Sequence, residues 1–337
     1  MLADTRVLYV FLYVRDLAVS REFYEGTLGL RVIEADEGCV KFDAGQVVLA
    51  LNRAGDYGIV LPDVKDHSTD VVWLVDDVRQ ATANLTARGV RFKPTDWYQP
   101  GGIADFYDPD GRWLTLYEPS EEALGWPSGE RLRAVIEARR ARNGGSTAQR
   151  VSLPPAPGEE PPGLGDAELI YLFTFVPSSR VAEEFYHDEL GLQALEGGPC
   201  SRTSGGDEEG VVKYDTGGVL IATHHVEPER SQEEFEEHLC PPPELQGGRM
   251  KGVAPVFHAP DAEGVARHLA RVRPDLRPVV TRGPVGTIVR VDDPTGHLVF
   301  LYQPSEEALD TPSGRKIREI LSVPLDVPAS LAPAEVP

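Results

Sequence analysis

The chain has 337 residues, of which 41% are hydrophobic and 26% are charged, a balance typical of a globular protein. Its 33 basic and 54 acidic residues give a formal net charge of −21, which argues against a nucleic-acid-binding surface. No apolar run approaches the ~20 residues that a membrane-spanning helix needs, which argues against a membrane protein.

The first ten residues, MLADTRVLYV, lack the basic region and the long apolar core of a signal peptide. The three cysteines, Cys39, Cys200 and Cys240, are odd in number and widely spaced. This spacing predicts no disulfide framework and favours a reducing compartment. We therefore expect a cytoplasmic protein.

The N-terminal part of the chain alternates between strand and helix patterns. The apolar, aromatic and β-branched run Arg6–Val14 predicts a buried strand. Helical spacing of apolar residues over 20–28 predicts a helix that stops at Gly29. Strand patterns follow over residues 39–43 and 46–52.

The same plan then starts again. A strand is predicted over residues 70–75, a helix over 77–88, and strands over 103–107 and 112–117. The turn residues Asp108-Pro109-Asp110-Gly111 join the last two strands. This first part of the chain therefore consists of two β-α-β-β-β modules.

The second half of the chain repeats the first. Residues 14–30 (VRDLAVSREFYEGTLGL) resemble residues 176–192 (VPSSRVAEEFYHDELGL). Residues 108–124 (DPDGRWLTLYEPSEEAL) resemble residues 293–309 (DPTGHLVFLYQPSEEAL). A repeat of this length indicates two copies of one structural unit.

Four regions follow from this repeat and from composition. They are a first domain over 1–142 that ends in a basic helix, a flexible Gly/Pro-rich linker over 143–166, a second domain over 167–322, and a disordered tail over 323–337. Residues 226–251 are longer than their counterpart, residues 53–69. They form either a surface insertion or a lid over the second cavity.

The order of these motifs, twice over, resembles the vicinal oxygen chelate superfamily. This superfamily includes glyoxalase I, extradiol dioxygenases, and fosfomycin and bleomycin resistance proteins. The residues that carry the resemblance are Val14, Asp16, Leu17, Ser20, Phe23, Tyr24, Leu28-Gly29-Leu30, Val75-Asp76-Asp77-Val78 and the turn from Asp108 to Gly111. The resemblance implies an α+β fold of tandem domains, each of paired βαβββ modules that form a curved, cavity-enclosing mixed sheet.

The resemblance also implies positions for metal ligands, and most of them hold residues that do not bind metals. These positions fall on Tyr9, Leu49, Asp70 and Thr115 in the first copy, and on Tyr171, Ile221, Ala254 and Phe300 in the second. Only Asp70 carries a donor suited to a divalent cation, and one carboxylate does not make a site. We therefore predict that the usual metal is lost and that no other cofactor takes its place.

Aromatic side chains replace the missing ligands. Because strand residues alternate between faces, one face of each copy should carry these rings. The predicted ligand-binding residues are Tyr9, Phe11, Tyr13, Asp70, Trp113, Thr115, Tyr117, Tyr171, Phe173, Phe175, Phe300 and Tyr302. Such rings fit a planar guest, although aromatic rows on strands are also typical of a filled core, and that alternative stays open.

The leading functional hypothesis is metal-independent binding or sequestration of a planar aromatic small molecule. It resembles the bleomycin-resistance branch, where antibiotic self-protection is the biological role. Since the second copy supplies an attached partner domain, we expect a monomer with an internal pseudo-dimer, or a homodimer, and no nucleic-acid or membrane partner.

Three alternatives stay open. In the first, Asp70 is the general acid or base of a metal-free isomerase or cyclase, oriented by Tyr9 and Thr115. In the second, His225 and His258 form a displaced metal site of a glyoxalase-type or dioxygenase-type enzyme, completed by a carboxylate such as Glu227. In the third, the basic stretch Arg131–Arg142 binds a protein partner.

Overall fold

The strands and helices of the chain form four modules of one plan, each a strand, a helix and three further strands. The computed structural model describes residues 2, 5–61, 66–94, 96–142, 161–165, 167–196, 210–225 and 252–323. The predicted tail, most of the linker and the long segment 226–251 lie outside the described residues. No helix in the described ranges is long and apolar enough to cross a membrane.

The sixteen strands of the described ranges divide equally among the modules. Module 1 contains β1 (Val7–Val14), β2 (Val32–Ala35), β3 (Cys39–Asp43) and β4 (Val48–Arg53); module 2 contains β5 (Asp66–Leu74), β6 (Asp96–Tyr98), β7 (Gly101–Tyr107) and β8 (Arg112–Pro119). Module 3 contains β9 (Glu168–Val176), β10 (Gln193–Glu196), β11 (Val211–Asp215) and β12 (Leu220–His225); module 4 contains β13 (Val253–His258), β14 (Val279–Gly283), β15 (Gly286–Asp292) and β16 (Leu298–Pro304).

One helix lies inside each module, and a pair of helices follows modules 2 and 4. The module helices are α1 (Leu17–Arg21, continued by a π-helical turn Glu22–Thr27), α2 (Val78–Ala87), α5 (Ser179–Glu183, continued by a π-helical turn Glu184–Glu189) and α6 (Ala262–Val272). The paired helices are α3 (Glu121–Leu124) with α4 (Pro127–Arg142), and α7 (Glu306–Asp310) with α8 (Pro312–Ser322). A 3₁₀ turn spans Ala54–Tyr57.

Each module helix begins where a short polar side chain accepts hydrogen bonds from free backbone N–H groups. The caps are Asp16, Asp77, Ser178 and Asp261. Side chains of this kind satisfy donors that the first helical turn leaves without partners, which fixes where the helix starts.

Each of the two eight-stranded sheets combines one module from each half of the sequence. The first sheet has the order β14-β15-β16-β13-β1-β4-β3-β2, and the second has the order β10-β11-β12-β9-β5-β8-β7-β6. Modules 4 and 1 therefore share the first sheet, and modules 3 and 2 share the second. The central pairs are antiparallel, with Phe11 opposite Ala254 and Asp70 opposite Phe173.

This pairing corrects the expectation that Tyr9, Phe11 and Tyr13 share a cavity with Asp70 and Thr115. The strands β1 and β5 belong to different sheets, although both come from the first copy. The sequence repeat identifies the modules, whereas their pairing depends on contacts between residues far apart in the chain.

One face of each sheet packs into a common apolar core. This core includes Leu12 of the first sheet, Trp73 of the second sheet and Tyr24 beside α1, all fully buried. The opposite faces carry separate aromatic clusters. We call the opposite face of the first sheet the first cleft and that of the second sheet the second cleft.

A cluster of one glutamate, one lysine and one serine holds a helix over each cleft. These helices are α4 and α8, the last helix of each half of the chain. In the second cleft, Ser128 of α4 donates to Glu196 from its backbone N–H at 3.1 Å and from its hydroxyl at 2.9 Å, and Lys213 donates to the Ser128 hydroxyl at 3.2 Å. In the first cleft, the Ser313 N–H of α8 donates to Glu34 at 3.0 Å, and Lys41 donates to the Ser313 hydroxyl at 3.2 Å. Each helix thus docks on a module from the other half of the chain.

Replacing Gly314 with alanine is expected to destabilise the helix over the first cleft. A Cβ at Gly314 would lie 1.9 Å from the Ala308 carbonyl oxygen and 2.6 Å from the Leu309 Cα, so the backbone has to shift. We expect urea denaturation to show a loss of about 1–3 kcal/mol, the usual cost of overpacking. The matched control is Gly55→Ala, where an added Cβ meets no atom within 4 Å. Equal stability of the two variants would contradict this tight docking.

Candidate functional site

The predicted ligand-binding residues separate into the two clefts. Tyr9, Phe11, Tyr13, Phe300 and Tyr302 lie on the first sheet. The second sheet carries Asp70, Trp113, Thr115, Tyr117, Tyr171, Phe173 and Phe175.

Four of the predicted tyrosines lie at the covered end of a cleft. Tyr9 and Tyr302 cluster with Ile317 and Ile320 of α8, and Tyr117 and Tyr171 cluster with Leu132 and Val135 of α4. The Tyr117 and Tyr302 hydroxyls donate to backbone carbonyls at 2.8 and 2.7 Å. These rings pack beneath the helices, so the sites of interest lie at the opposite ends of the clefts.

Two of the implied metal-ligand positions are shifted by one residue. Leu49 and Ile221 point into the core, whereas Ala50 and Ala222 lie opposite the cleft residues Phe11 and Phe173. Because alanine also lacks a donor atom, this shift does not restore a metal site.

The two histidines of the predicted displaced metal site lie on different sheets. His225 is on β12 of the second sheet and His258 is on β13 of the first. Glu227 lies outside the described residues. Across the ranges that the structure describes, no group of three His, Cys, Asp or Glu side chains is placed to hold a metal ion. The described side chains at the implied ligand positions therefore do not fit the divalent metal that the resemblance implies.

A threonine hydroxyl joins two carboxyl groups in the second cleft. The Thr115 Oγ1 atom lies 2.8 Å from Asp70 Oδ2 and 2.8 Å from Asp105 Oδ1. A hydroxyl has one proton to donate, and an ionised carboxylate only accepts. One of the two carboxyl groups must therefore carry a proton for both contacts to be hydrogen bonds.

The environment places that proton on Asp70. Burial raises the pKa of Asp70 well above its ordinary value, and the Asp105 carboxylate adds to the rise, whereas the Thr115 hydrogen bond opposes it. Burial also raises the pKa of Asp105, against the effects of Thr115 and Lys93. Asp70 is 8% exposed, whereas Asp105 is half-buried. Hydrogen bonds thus connect Asp70 through Thr115 to Asp105, and a proton can move along this series.

The second carboxyl oxygen of Asp70 makes no such contact. Its Oδ1 atom is buried and has no hydrogen-bond partner among the described residues. Buried polar atoms normally have a partner, so such an atom needs an explanation. On a neutral Asp70 that donates from Oδ2, Oδ1 is a carbonyl-type acceptor for an incoming hydroxyl or N–H group.

Aromatic rings and a lysine surround the carboxyl pair. Trp113 and Phe175 stack with ring centroids 5.8 Å apart and planes 10° apart. Lys93 Nζ lies 4.8 Å from the Trp113 ring centroid and 5.4 Å from that of Tyr107. The site thus combines flat apolar area, one neutral acid and a nearby cation.

Sequence reasoning missed three residues of this site: Lys93, Asp105 and His224. Asp105 lies directly opposite Thr115 on the neighbouring strand β7. His224, and not its neighbour His225, lies opposite Phe175, with ring centroids 5.6 Å apart. The alternation of side chains between the two faces of β7 and β12 was the available signal. It identifies these residues only once the pairing register of the strands is known.

The first cleft has the same framework and different chemistry. Ala254 and Phe300 occupy the positions that correspond to Asp70 and Thr115, and Arg290 lies opposite Phe300 as Asp105 lies opposite Thr115. The first cleft therefore lacks the carboxyl pair.

Comparison with known proteins gives a family match for the N-terminal third of the chain. Residues 6–116 match the family model described as the Glyoxalase/Bleomycin resistance protein/Dioxygenase superfamily. No curated protein sequence matches the chain.

Solved structures resemble the fold of the whole chain. Glyoxalase I from Zea mays has a TM-score of 0.52 and 15% sequence identity, covering 88% of this chain and 92% of its own. A proposed dioxygenase from Bacillus subtilis has a TM-score of 0.52 and 14% identity, covering 97% of this chain and 99% of its own. At these identities the likeness shows the tandem fold and nothing about the reaction.

Proposed function

We propose that this chain, whose residues 6–116 match the family model of the Glyoxalase/Bleomycin resistance protein/Dioxygenase superfamily, uses the second cleft to bind a planar aromatic small molecule that carries a hydroxyl group. Binding would not need a metal, since the side chains at the implied ligand positions offer one carboxyl group. The guest hydroxyl donates a hydrogen bond to Asp70 Oδ1.

The observation that supports this proposal is the unpartnered Oδ1 atom of the buried Asp70, whose Oδ2 contacts Thr115, beside stacked aromatic rings. A guest that leaves this acceptor unpaired binds with less favourable free energy than one that donates a hydrogen bond to it. The reason is that a buried polar atom without a partner costs about 1–3 kcal/mol. A phenol or enol meets the requirement, whereas its O-methyl ether does not.

A guest would approach Asp70 past half-buried side chains at the end of the cleft that α4 does not cover. Lys93, Asp105, Tyr107, Phe173 and His224 are each partly exposed. A planar ring at this rim contacts aromatic faces and a cation together. Such contacts supply shape and apolar area, and the carboxyl pair supplies orientation.

The proposal predicts that Asp70→Leu weakens binding at least about tenfold, whereas Asp70→Asn changes it little. Leucine removes the acceptor, but asparagine keeps an oxygen at Oδ1 and can donate to Thr115 as neutral Asp70 does. The measurement is quenching of Trp113 fluorescence by hydroxylated naphthoquinones and flavonols, each paired with its O-methyl ether. Calorimetry with Trp113→Phe checks that the signal comes from this cleft.

Asp188→Asn is the matched control, since Asp188 is exposed and lies on the π-helical turn Glu184–Glu189, not on a strand of either cleft. It should bind as the wild-type protein does. Equal affinity for each hydroxylated compound and its ether, or unchanged binding by Asp70→Leu, would sink the proposal.

The shared proton favours a second candidate function, proton transfer on the same guest. The guest O–H proton would move to Asp70 Oδ1 while the Oδ2 proton passes to Thr115 and the Thr115 proton passes to Asp105. One proton thereby leaves an enol guest for Asp105, and its return to carbon completes a tautomerisation. Guests recovered unchanged by mass spectrometry and NMR after incubation with wild-type protein leave binding as the function. Turnover that Asp70→Asn abolishes, with binding retained, identifies the enzyme.

A further inference from the structure

The first cleft carries a cation where the second cleft carries an acid. Arg290 lies on β15 opposite Phe300, at the position that Asp105 occupies in the second sheet. Its strand neighbours Ile288 and Asp292 lie opposite Tyr302 and Leu298, which belong to the aromatic cluster of the first cleft. By the alternation of strand residues, Arg290 faces the same cleft.

Aromatic rings form the floor beside Arg290. Phe11 and Phe300 have ring centroids 5.5 Å apart, and Phe11 and Tyr13 have centroids 6.4 Å apart with planes at 81°. Tyr57 lies edge-on to Tyr13 at 5.3 Å. Phe11 is only half-buried, so part of its ring is available to a guest.

Tyr13 brings an unused donor into this cleft. Tyr13 is 0% exposed, and its hydroxyl has no hydrogen-bond partner among the described residues. Burial raises the pKa of Tyr13, and the positive charge of Arg290 acts in the opposite direction, as expected for a guanidinium near the ring. The hydroxyl therefore stays protonated and can donate to an acceptor beside Arg290.

Arg290 has capacity for a further partner. Its side chain is 38% exposed, and its Nη2 atom lies 3.6 Å from Asp292 Oδ1, too far for a good hydrogen bond.

We propose that the first cleft is a second binding site, specific for an aromatic carboxylate. The carboxylate pairs with the Arg290 guanidinium and accepts a hydrogen bond from the Tyr13 hydroxyl, and the aromatic ring packs against Phe11 and Phe300. Arginine suits this role because its planar fork matches the two oxygens of a carboxylate. The two clefts of one chain thus take guests of different charge, and this site does not depend on the function proposed for Asp70.

The test is calorimetric titration of the full chain with cinnamate and with its neutral analogue cinnamamide. We expect cinnamate to bind the wild-type protein with one site and cinnamamide to bind at least about tenfold more weakly, since the charge-assisted pair is lost. Arg290→Gln should weaken cinnamate binding at least about tenfold, and Tyr13→Phe should weaken it severalfold.

Arg282→Gln is the matched control. Arg282 lies on β14 of the same hairpin, but its side chain pairs with Glu263 of α6 at 2.6 Å, away from the cleft. It should bind cinnamate as the wild-type protein does, and so should Asp70→Leu, which separates this site from the second cleft. Absence of cinnamate binding, equal affinity for cinnamamide, or unchanged binding by Arg290→Gln would each overturn the proposal.

Discussion

Replacing Arg112 with methionine is expected to lower the free energy of unfolding by about 3–5 kcal/mol, because it leaves a buried aspartate without its cation. Arg112 pairs with Asp108, and the two side chains are only 2% and 0% exposed. Asp108 also accepts a hydrogen bond from the Tyr24 hydroxyl at 2.9 Å. Methionine fills a similar volume but supplies no charge and no donor.

The loss should extend to the contact between the sheets. Arg112 stands on β8 of the second sheet, and its Nη2 atom donates to the Tyr13 carbonyl oxygen of the first sheet at 2.7 Å and to that of Gly252 at 3.2 Å. One side chain therefore satisfies backbone carbonyls that no apolar replacement can reach. In the other half of the chain, His297 lies in the corresponding place and contacts the Ser68 carbonyl oxygen at 3.3 Å.

Urea denaturation of two further variants makes the result specific. Arg21→Met removes the exposed pair with Glu25, whose side chains are 46% and 44% exposed, and should cost less than about 1 kcal/mol. Arg112→Met in an Asp108→Asn background should cost less than in the wild-type background, because no buried charge remains. A loss for Arg112→Met no larger than that for Arg21→Met would contradict this account.

Local sequence patterns predicted the modules well. The strand predicted over Arg6–Val14 is observed as Val7–Val14, and the helix predicted over 77–88 is observed as Val78–Ala87. The turn from Asp108 to Gly111 is confirmed, with Asp108 Oδ1 accepting from the Asp110 and Arg112 N–H groups. These features depend on neighbours within a few residues, and periodicity and capping record them directly.

The pairing of modules could not be predicted in this way. Phe11 meets Ala254 and Asp70 meets Phe173 across more than a hundred residues, and no local pattern selects that partner over another module. The identities of Asp105 and Lys93 as site residues depend on the same register. Leu49 and Ile221 show that the face of the sheet on which a side chain lies depends on its exact strand position, since a shift of one residue turns a side chain from the cleft to the core.

The two clefts show why similar sequences predicted similar sites. Both helices dock through the same Glu–Lys–Ser cluster, and both clefts keep a tethered tyrosine at the covered end. The framework is shared, so the repeat is visible in sequence. The clefts differ at the ends that the helices do not cover. One carries Asp70, Thr115 and Asp105, and the other carries Ala254, Phe300 and Arg290. These side chains determine the chemistry of each cleft.

Replacing Asp70 with asparagine is expected to stabilise the folded chain at neutral pH and to have little effect in acid. Burial and the neighbouring Asp105 raise the pKa of Asp70 in the folded state. The unfolded chain releases this proton near pH ~4, whereas the folded chain retains it, so wild-type stability falls as the pH rises from there to the folded pKa. Asparagine has no proton to lose and avoids this penalty.

Denaturation of both proteins at several pH values from 4 to 8 measures the effect. The difference in free energy of unfolding should be close to zero at the acid end and should grow with pH to about 1–3 kcal/mol in favour of Asp70→Asn. Asp188→Asn should show no such trend, since Asp188 is exposed. A difference that does not change with pH would mean that Asp70 titrates alike in both states. A growing difference would mean that the chain keeps at position 70 a carboxyl group that weakens its fold, which is the pattern expected where the proton is needed for function.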